Sequence, residues 1–265
     1  MPNIFDTLYI EEDESKKFTL ESSVPPPQVW ERNDFYYICF AGFFKAFIAG
    51  FLNCVVIITY NIPVSHCTGV TSKMSISIVN FEIRDFLFTF FNLFSFFLGC
   101  VGVGFVITYE KFYYSRKYGV ILIVESLLLL ISVVLFLYDI DNIATFFASI
   151  AMGIHNSLFT NFSGAVVRTT HVTGLITDIG LIIGHLLRGK EENKDIWRLK
   201  VLVPLLFGFI AGGVIGTWCY VIFGQPCLYI PVILLFVTGS IWTIWRVVYK
   251  RLSDNHIEKF ESHTK

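Results

Sequence analysis

The residues best suited to chemistry in this chain occur as two matching phrases. Ser65-His66-Cys67-Thr68-Gly69 recurs as Thr170-His171-Val172-Thr173-Gly174. Upstream, Gly50-x-x-Asn53 is echoed by Gly153-x-x-Asn156, and downstream Lys73 and Asp178 stand at equivalent positions. Thr followed by Gly suits the start of a helix: the hydroxyl can cap a free N–H, and the glycine lets a ligand or a second helix come close. A helix N-terminus presents unpaired N–H groups and the positive end of its dipole. Two such ends converging on one point make a solute site. The expected substrate-binding residues are therefore Asn53, His66, Thr68, Gly69, Asn156, His171, Thr173, Gly174 and Asp178. Lys73 and Asp178 are expected to form a charge pair across the two copies, and Asp178 is the first choice for a proton- or cation-linked role.

Other polar residues stand alone in apolar surroundings: Lys45, Glu125, His155, Arg168 and His185. An ionisable group in such a place is a functional candidate because its burial is expensive. Zinc catalysis needs three protein ligands and an open position. His66, His155, His171 and Asp178 or His185 could supply them in a membrane-embedded hydrolase, although no HExxH spacing is present. No P-loop, flavin or dinucleotide signature and no GxSxG elbow occurs. No cofactor and no catalytic set is assigned. The six cysteines lie singly and form no CxxC spacing, so they read as small apolar residues rather than as a disulfide framework.

The elements that must carry these residues belong to a membrane. Apolar residues make up 54% of the chain and charged residues 15%, against about a quarter charged in soluble domains. The formal net charge of −1 leaves no basic face for nucleic acid. A helix crosses the bilayer with about 20 apolar residues. Six stretches meet that length or nearly do: 35–60, 86–108, 118–138, 143–160, 201–223 and 228–249. Two segments, 68–80 and 173–187, are too short or too polar to cross. They are expected to enter the membrane and return, or to be halves of broken helices, with protein or water around them. Residues 1–34, with Glu11-Glu12-Asp13-Glu14 and Pro25-Pro26-Pro27, read as a disordered polar tail, and 251–265 as a second tail. Between them lie a first membrane repeat, 35–138, and a second, 139–250.

Basic residues give an orientation. Lys111, Arg116 and Lys117, then Arg188, Lys190, Lys194, Arg198 and Lys200, then Arg246, Lys250 and Arg251 form three basic regions. The connections at 139–142 and 224–227 carry no Lys or Arg. The positive-inside rule places the former in the cytoplasm and the latter outside. That assignment closes only if both short helices fail to cross. Both termini are then cytoplasmic, and the two units run in opposite senses. The expected fold is an all-α membrane protein with six transmembrane helices, two short re-entrant or broken helices and an inverted 3+3 repeat.

The stretch Gly153-Ile154-His155-Asn156, followed by Arg168-Thr169-Thr170-His171-Val172-Thr173-Gly174-Leu175-Ile176-Thr177-Asp178, resembles the signature of the YoaK-like family of small multi-span membrane proteins. The first half is similar, but Asn53 stands where the family tends to have Asp, and Val70 where it has Asn. The resemblance implies the membrane architecture and a transport role, and it supplies no substrate. The expected function is a multi-pass transporter or channel for a small molecule or ion, in contact with the lipid bilayer, with no nucleic-acid partner and with self-association left open. The alternatives are the metal-dependent hydrolase and a non-transporting accessory or scaffold protein.

Overall fold

A computed structural model describes residues 32–60, 64–107, 115–162, 169–188 and 196–263. Among the described residues it is all helical. The helices are α1 (Arg32–Tyr60), α2 (Cys67–Val79), α3 (Ile83–Val106), α4 (Arg116–Leu137), α5 (Asp141–Phe162), α6 (Val172–Leu187), α7 (Ile196–Phe223) and α8 (Tyr229–His263), with a 3-10 turn, Gln225–Leu228, before α8. Six of these are long and apolar enough to span a bilayer, which fits an integral multi-pass membrane protein. The two short ones are α2 and α6. The helices overrun the expected spans at several ends: α7 starts five residues before Val201, and α8 runs to His263, through most of the expected second tail. Arg168, Lys111, Lys190 and Lys194 lie outside the described residues.

Glycine decides which helices meet. α1 packs on α7, α3 on α5, and α4 on α8. A Cβ at Gly50 of α1 would collide with the Phe209 carbonyl of α7, and one at Gly212 with the Phe47 carbonyl of α1. The other pair repeats the arrangement: Gly153 of α5 lies against the Phe96 carbonyl of α3, and Gly99 against the Ile150 carbonyl of α5. Phe47 and Ile150 both stand three residues before the matched glycines of α1 and α5, so the two contacts use equivalent positions. Gly119 and Gly239 face each other's carbonyl oxygens across α4 and α8. Close backbone approach of this kind is the main source of helix association in lipid. Gly102 and Gly104, close to Gly99 in α3, face open space.

Many of the hydroxyl groups that lipid cannot satisfy are satisfied within the chain. α2 is half polar, yet Thr71, Ser72, Ser75 and Ser77 each donate to the carbonyl four residues earlier, at 2.9–3.0 Å. That removes the free hydroxyls that would make the segment costly in an apolar setting. Pro204 sits inside α7 and has no N–H for the carbonyl of Lys200. The thiol of Cys39 on α1 points at that carbonyl instead, with Sγ 3.5 Å from it. Between helices, Ser126 donates to the Val232 carbonyl at 2.9 Å, Ser132 to the Ala144 carbonyl at 2.8 Å, and Ser149 to Asn92 Oδ1. Large apolar side chains such as Phe90, Phe94, Phe97 and Phe105 cover the outer face of α3, where lipid is the matching solvent.

Two glycine substitutions separate packing from propensity. Gly153→Ala forces α5 and α3 apart and should destabilise by about 1–3 kcal/mol, the usual cost of overpacking. Gly102→Ala meets nothing and should be neutral or slightly stabilising, since a helical glycine costs about 0.5–1 kcal/mol relative to alanine. Thermal unfolding of the two variants in one detergent gives the comparison; equal melting temperatures would contradict the close-contact account.

Candidate functional site

The chain doubles back at each matching phrase. α1 continues for two turns beyond Asn53, and Ser65 lies back at the level of that residue. There the Ser65 hydroxyl donates to Asn53 Oδ1 at 2.9 Å. Thr170, at the position equivalent to Ser65, donates to Asn156 Oδ1 at 2.6 Å, with Thr169 adding a bond of 3.3 Å. The two Asn residues thus tie the starts of α2 and α6 to mid-levels of α1 and α5. Such an anchor is what places a short helix end inside a bundle rather than at its rim.

Between the two helix starts lies a cavity of about 760 Å³. Asn53, His66, Thr68, Asn156, His171 and Thr173 all line it, joined by Ser65, Cys67, Cys100, Ser157, Thr160, Asn161 and Thr170. Phe96 and Phe209, three residues before Gly99 and Gly212, close it from α3 and α7. Among the described residues, no Asp, Glu, Lys or Arg is in the lining. The cavity therefore offers hydroxyls, amides, imidazoles, thiols and helix N–H groups to a guest. The backbone N–H groups of the first helical turn have no partner within their own helix.

The capping arrangement differs from expectation. The residues at the cap positions are His66 and His171, and neither side chain bonds a helix N–H. Thr68 and Thr173 fall one position inside the first turn. Gly69 and Gly174 do not line the cavity. Each lies under the ring of the histidine three residues earlier, and a Cβ at either would run into that ring. The His-x-x-Gly spacing is thus a seat for the imidazole, which a helical i, i+3 reading of the sequence could have identified.

Asp178 lies outside the cavity lining. Its carboxylate is paired with Arg198 of α7 at 3.2 Å, on a partly exposed face. The expected partner was Lys73, on the exposed side of α2. A half-exposed Asp has a long arginine within reach one connection away, so it has no need of a partner across the molecule. His185 is exposed near the end of α6. Among the described residues no group of three or more His, Cys, Asp or Glu side chains is placed to hold a metal, so the ligand set of the hydrolase alternative is not assembled.

The residues that sequence reasoning treated singly form a buried cluster of ionisable groups. Lys45 of α1 places Nζ 3.0 and 3.3 Å from the two carboxylate oxygens of Glu125 on α4. His155 of α5 places Nδ1 2.5 Å from Glu125 Oε1, and Nε2 2.9 Å from the backbone carbonyl of Lys45. Glu125 and His155 are fully buried and Lys45 nearly so. The signal was present: one lysine and one glutamate, each alone in an apolar span, resolve their cost most simply by pairing. Removing one member leaves the other uncompensated, at about 3–5 kcal/mol for a buried pair. Lys45→Met should therefore lower the melting temperature sharply at alkaline pH, where His155 brings no second positive charge to Glu125, and Lys45→Met combined with Glu125→Gln should recover much of it. A single substitution as stable as the wild type would show that the pair does not form.

The family comparison covers the same ground. The profile of the family described as "Protein of unknown function (DUF1275)" matches residues 41–241. That range contains the cavity, both matching phrases and the buried cluster. No curated protein and no solved structure matches the chain. The match spans well over half of the sequence, and the YoaK-like signature read at Gly153–Asp178 is consistent with it: the chain is a member of the DUF1275 family.

Proposed function

We propose that the protein is a membrane transporter or channel for a small molecule or ion, with its substrate path through the cavity between the starts of α2 and α6. The observation that carries this reading is the paired lining. Asn53 and Asn156, His66 and His171, Thr68 and Thr173, and Phe96 and Phe209 bring equivalent side chains to one cavity. A structural packing role would favour filling such a space, because voids in a bundle forfeit dispersion contacts. A polar cavity of several hundred cubic ångströms between helix ends is instead how repeat transporters seat a solute.

The inverted 3+3 repeat belongs to this proposal. It is supported by the reciprocal contacts of α1 with α7 and of α5 with α3, made at matching glycines, and by the self-matched contact of α4 with α8. Cytoplasmic termini, with α2 entering from outside and α6 from the cytoplasm, follow from the distribution of Lys and Arg.

Flux into liposomes holding the purified protein tests the reading. A panel of inorganic ions, sugars, amino acids and amines should contain at least one solute that enters faster than into protein-free vesicles. Cys67 and Cys100 line the cavity, so a bulky thiol reagent should abolish that flux. In Cys67→Ser/Cys100→Ser the remaining flux should ignore the reagent. Flux that the reagent leaves untouched in the wild type would place the path elsewhere.

A further inference from the structure

The buried cluster beside the cavity has a proton count that its geometry fixes. A backbone carbonyl can only accept a hydrogen bond, so the 2.9 Å contact from His155 Nε2 to the Lys45 carbonyl requires a hydrogen on Nε2. An ionised carboxylate likewise only accepts. The 2.5 Å contact from His155 Nδ1 to Glu125 Oε1 therefore requires a second proton, carried either by the ring or by the carboxyl group. Imidazole and carboxyl together hold two dissociable protons, where a neutral histidine beside an ionised glutamate would hold one. Lys45 Nζ donates to the same carboxylate from the other side.

Loss of one proton has a defined structural consequence. The ring then keeps a single N–H and can satisfy only one of its two acceptors. A bond to a carboxylate is roughly twice as strong as one to a neutral carbonyl. The ring keeps Glu125 and gives up the Lys45 carbonyl, so the link between α5 and α1 opens. His155 immediately precedes Asn156, which lines the cavity and anchors Thr170 at the start of α6. The groups facing the pair are Lys45 from α1 and each other. Among the described residues, α3, α7 and α8 bring no further titratable side chain that acts on the three. His155 and Glu125 have no exposed surface, so protons exchange with water only when the surrounding helices part.

We propose that Lys45, Glu125 and His155 form a proton-binding site whose filling closes, and whose emptying opens, the α1–α5 contact beside the cavity. The coupling of that proton to solute movement rests on the transport reading; the proton site itself does not. The cluster has no counterpart in the other half of the chain: Leu52 stands at the position matching His155, and Ala148 at that matching Lys45. The proton is therefore bound on one side of the pseudo-symmetric cavity, which gives the two halves different roles.

Nitrogen NMR of the full chain in lipid nanodiscs tests the site directly. His155 is the one histidine followed by asparagine, so labelling the His–Asn pair assigns it without mutation. The expected spectrum at acid pH shows both ring nitrogens hydrogen-bonded, with a strongly deshielded proton between Nδ1 and the carboxyl group. On raising the pH across the range in which histidines titrate, the Nε2 proton signal should be lost while Nδ1 keeps its bond. Glu125→Gln should abolish the deshielded proton. If that variant does not fold, the wild-type titration decides alone. A ring that keeps one unchanged proton from acid to alkaline pH overturns the proposal. With a solute identified, its uptake should rise several-fold when a pH gradient is imposed, and lose that response in His155→Gln. Uptake indifferent to the gradient in the wild type would overturn the coupling while leaving transport intact. A titrating His155 without any solute flux would leave the proton site standing and remove the transport reading.

Discussion

A polar group in hydrocarbon has no water to turn to, so a polar side chain at membrane depth is costly unless it finds a partner within the protein. The hydroxyls of α2 turn back onto their own helix. The carbonyl of Lys200, left without a partner by Pro204, takes the thiol of Cys39. Asn53 and Asn156 hold the hydroxyls of the segments that fold back toward them. The same demand explains the Lys45–Glu125–His155 cluster, since none of the three could stay charged alone in an apolar span. Where the demand is not met by protein, a cavity remains, and that cavity lies where two helix starts leave their first N–H groups without partners.

Glycine turns the demand for partners into a defined shape. Helices in lipid gain little from burying apolar side chains against each other, so backbone proximity sets the contacts. Gly50 with Gly212, and Gly153 with Gly99, bring α1 onto α7 and α5 onto α3 at carbonyl distance. α1 and α5 are the most enclosed of the spans. They also carry Lys45, Asn53, His155 and Asn156, so the packing seams and the polar groups share the same two helices. The cavity between them is held by rigid elements, while α2 and α6 supply the helix ends that face it.

Much of this was legible in the residues themselves. The two matching phrases, with the Gly-x-x-Asn ahead of each, located the cavity and six of its lining residues, because a repeated motif in a membrane chain marks positions used twice. The membrane class followed from scarce charge, and the short helices from their length. Two features were not legible, and a third only in part. The capping position fell on His66 and His171 because helix starts shift by one or two residues with local backbone geometry that types alone do not fix. Asp178 was drawn to Lys73 by their equivalent positions, whereas its true neighbour Arg198 arrives through the packing of α6 on α7. Lys45, Glu125 and His155 lie in three separate spans, and only the arrangement of α1, α4 and α5 brings them together.

The central claim is that a solute reaches the starts of α2 and α6 from the water on the two sides of the membrane. Its most direct test is the reactivity of a single cysteine at position 66 or 171, in a background with the six native cysteines replaced, toward a membrane-impermeant thiol reagent added to one side at a time. The account predicts that both positions react, that His66→Cys and His171→Cys favour opposite sides, and that an added transported solute slows the reaction at each. Two cysteines that stay unreactive from both sides, in a protein that is folded and correctly inserted, would contradict it.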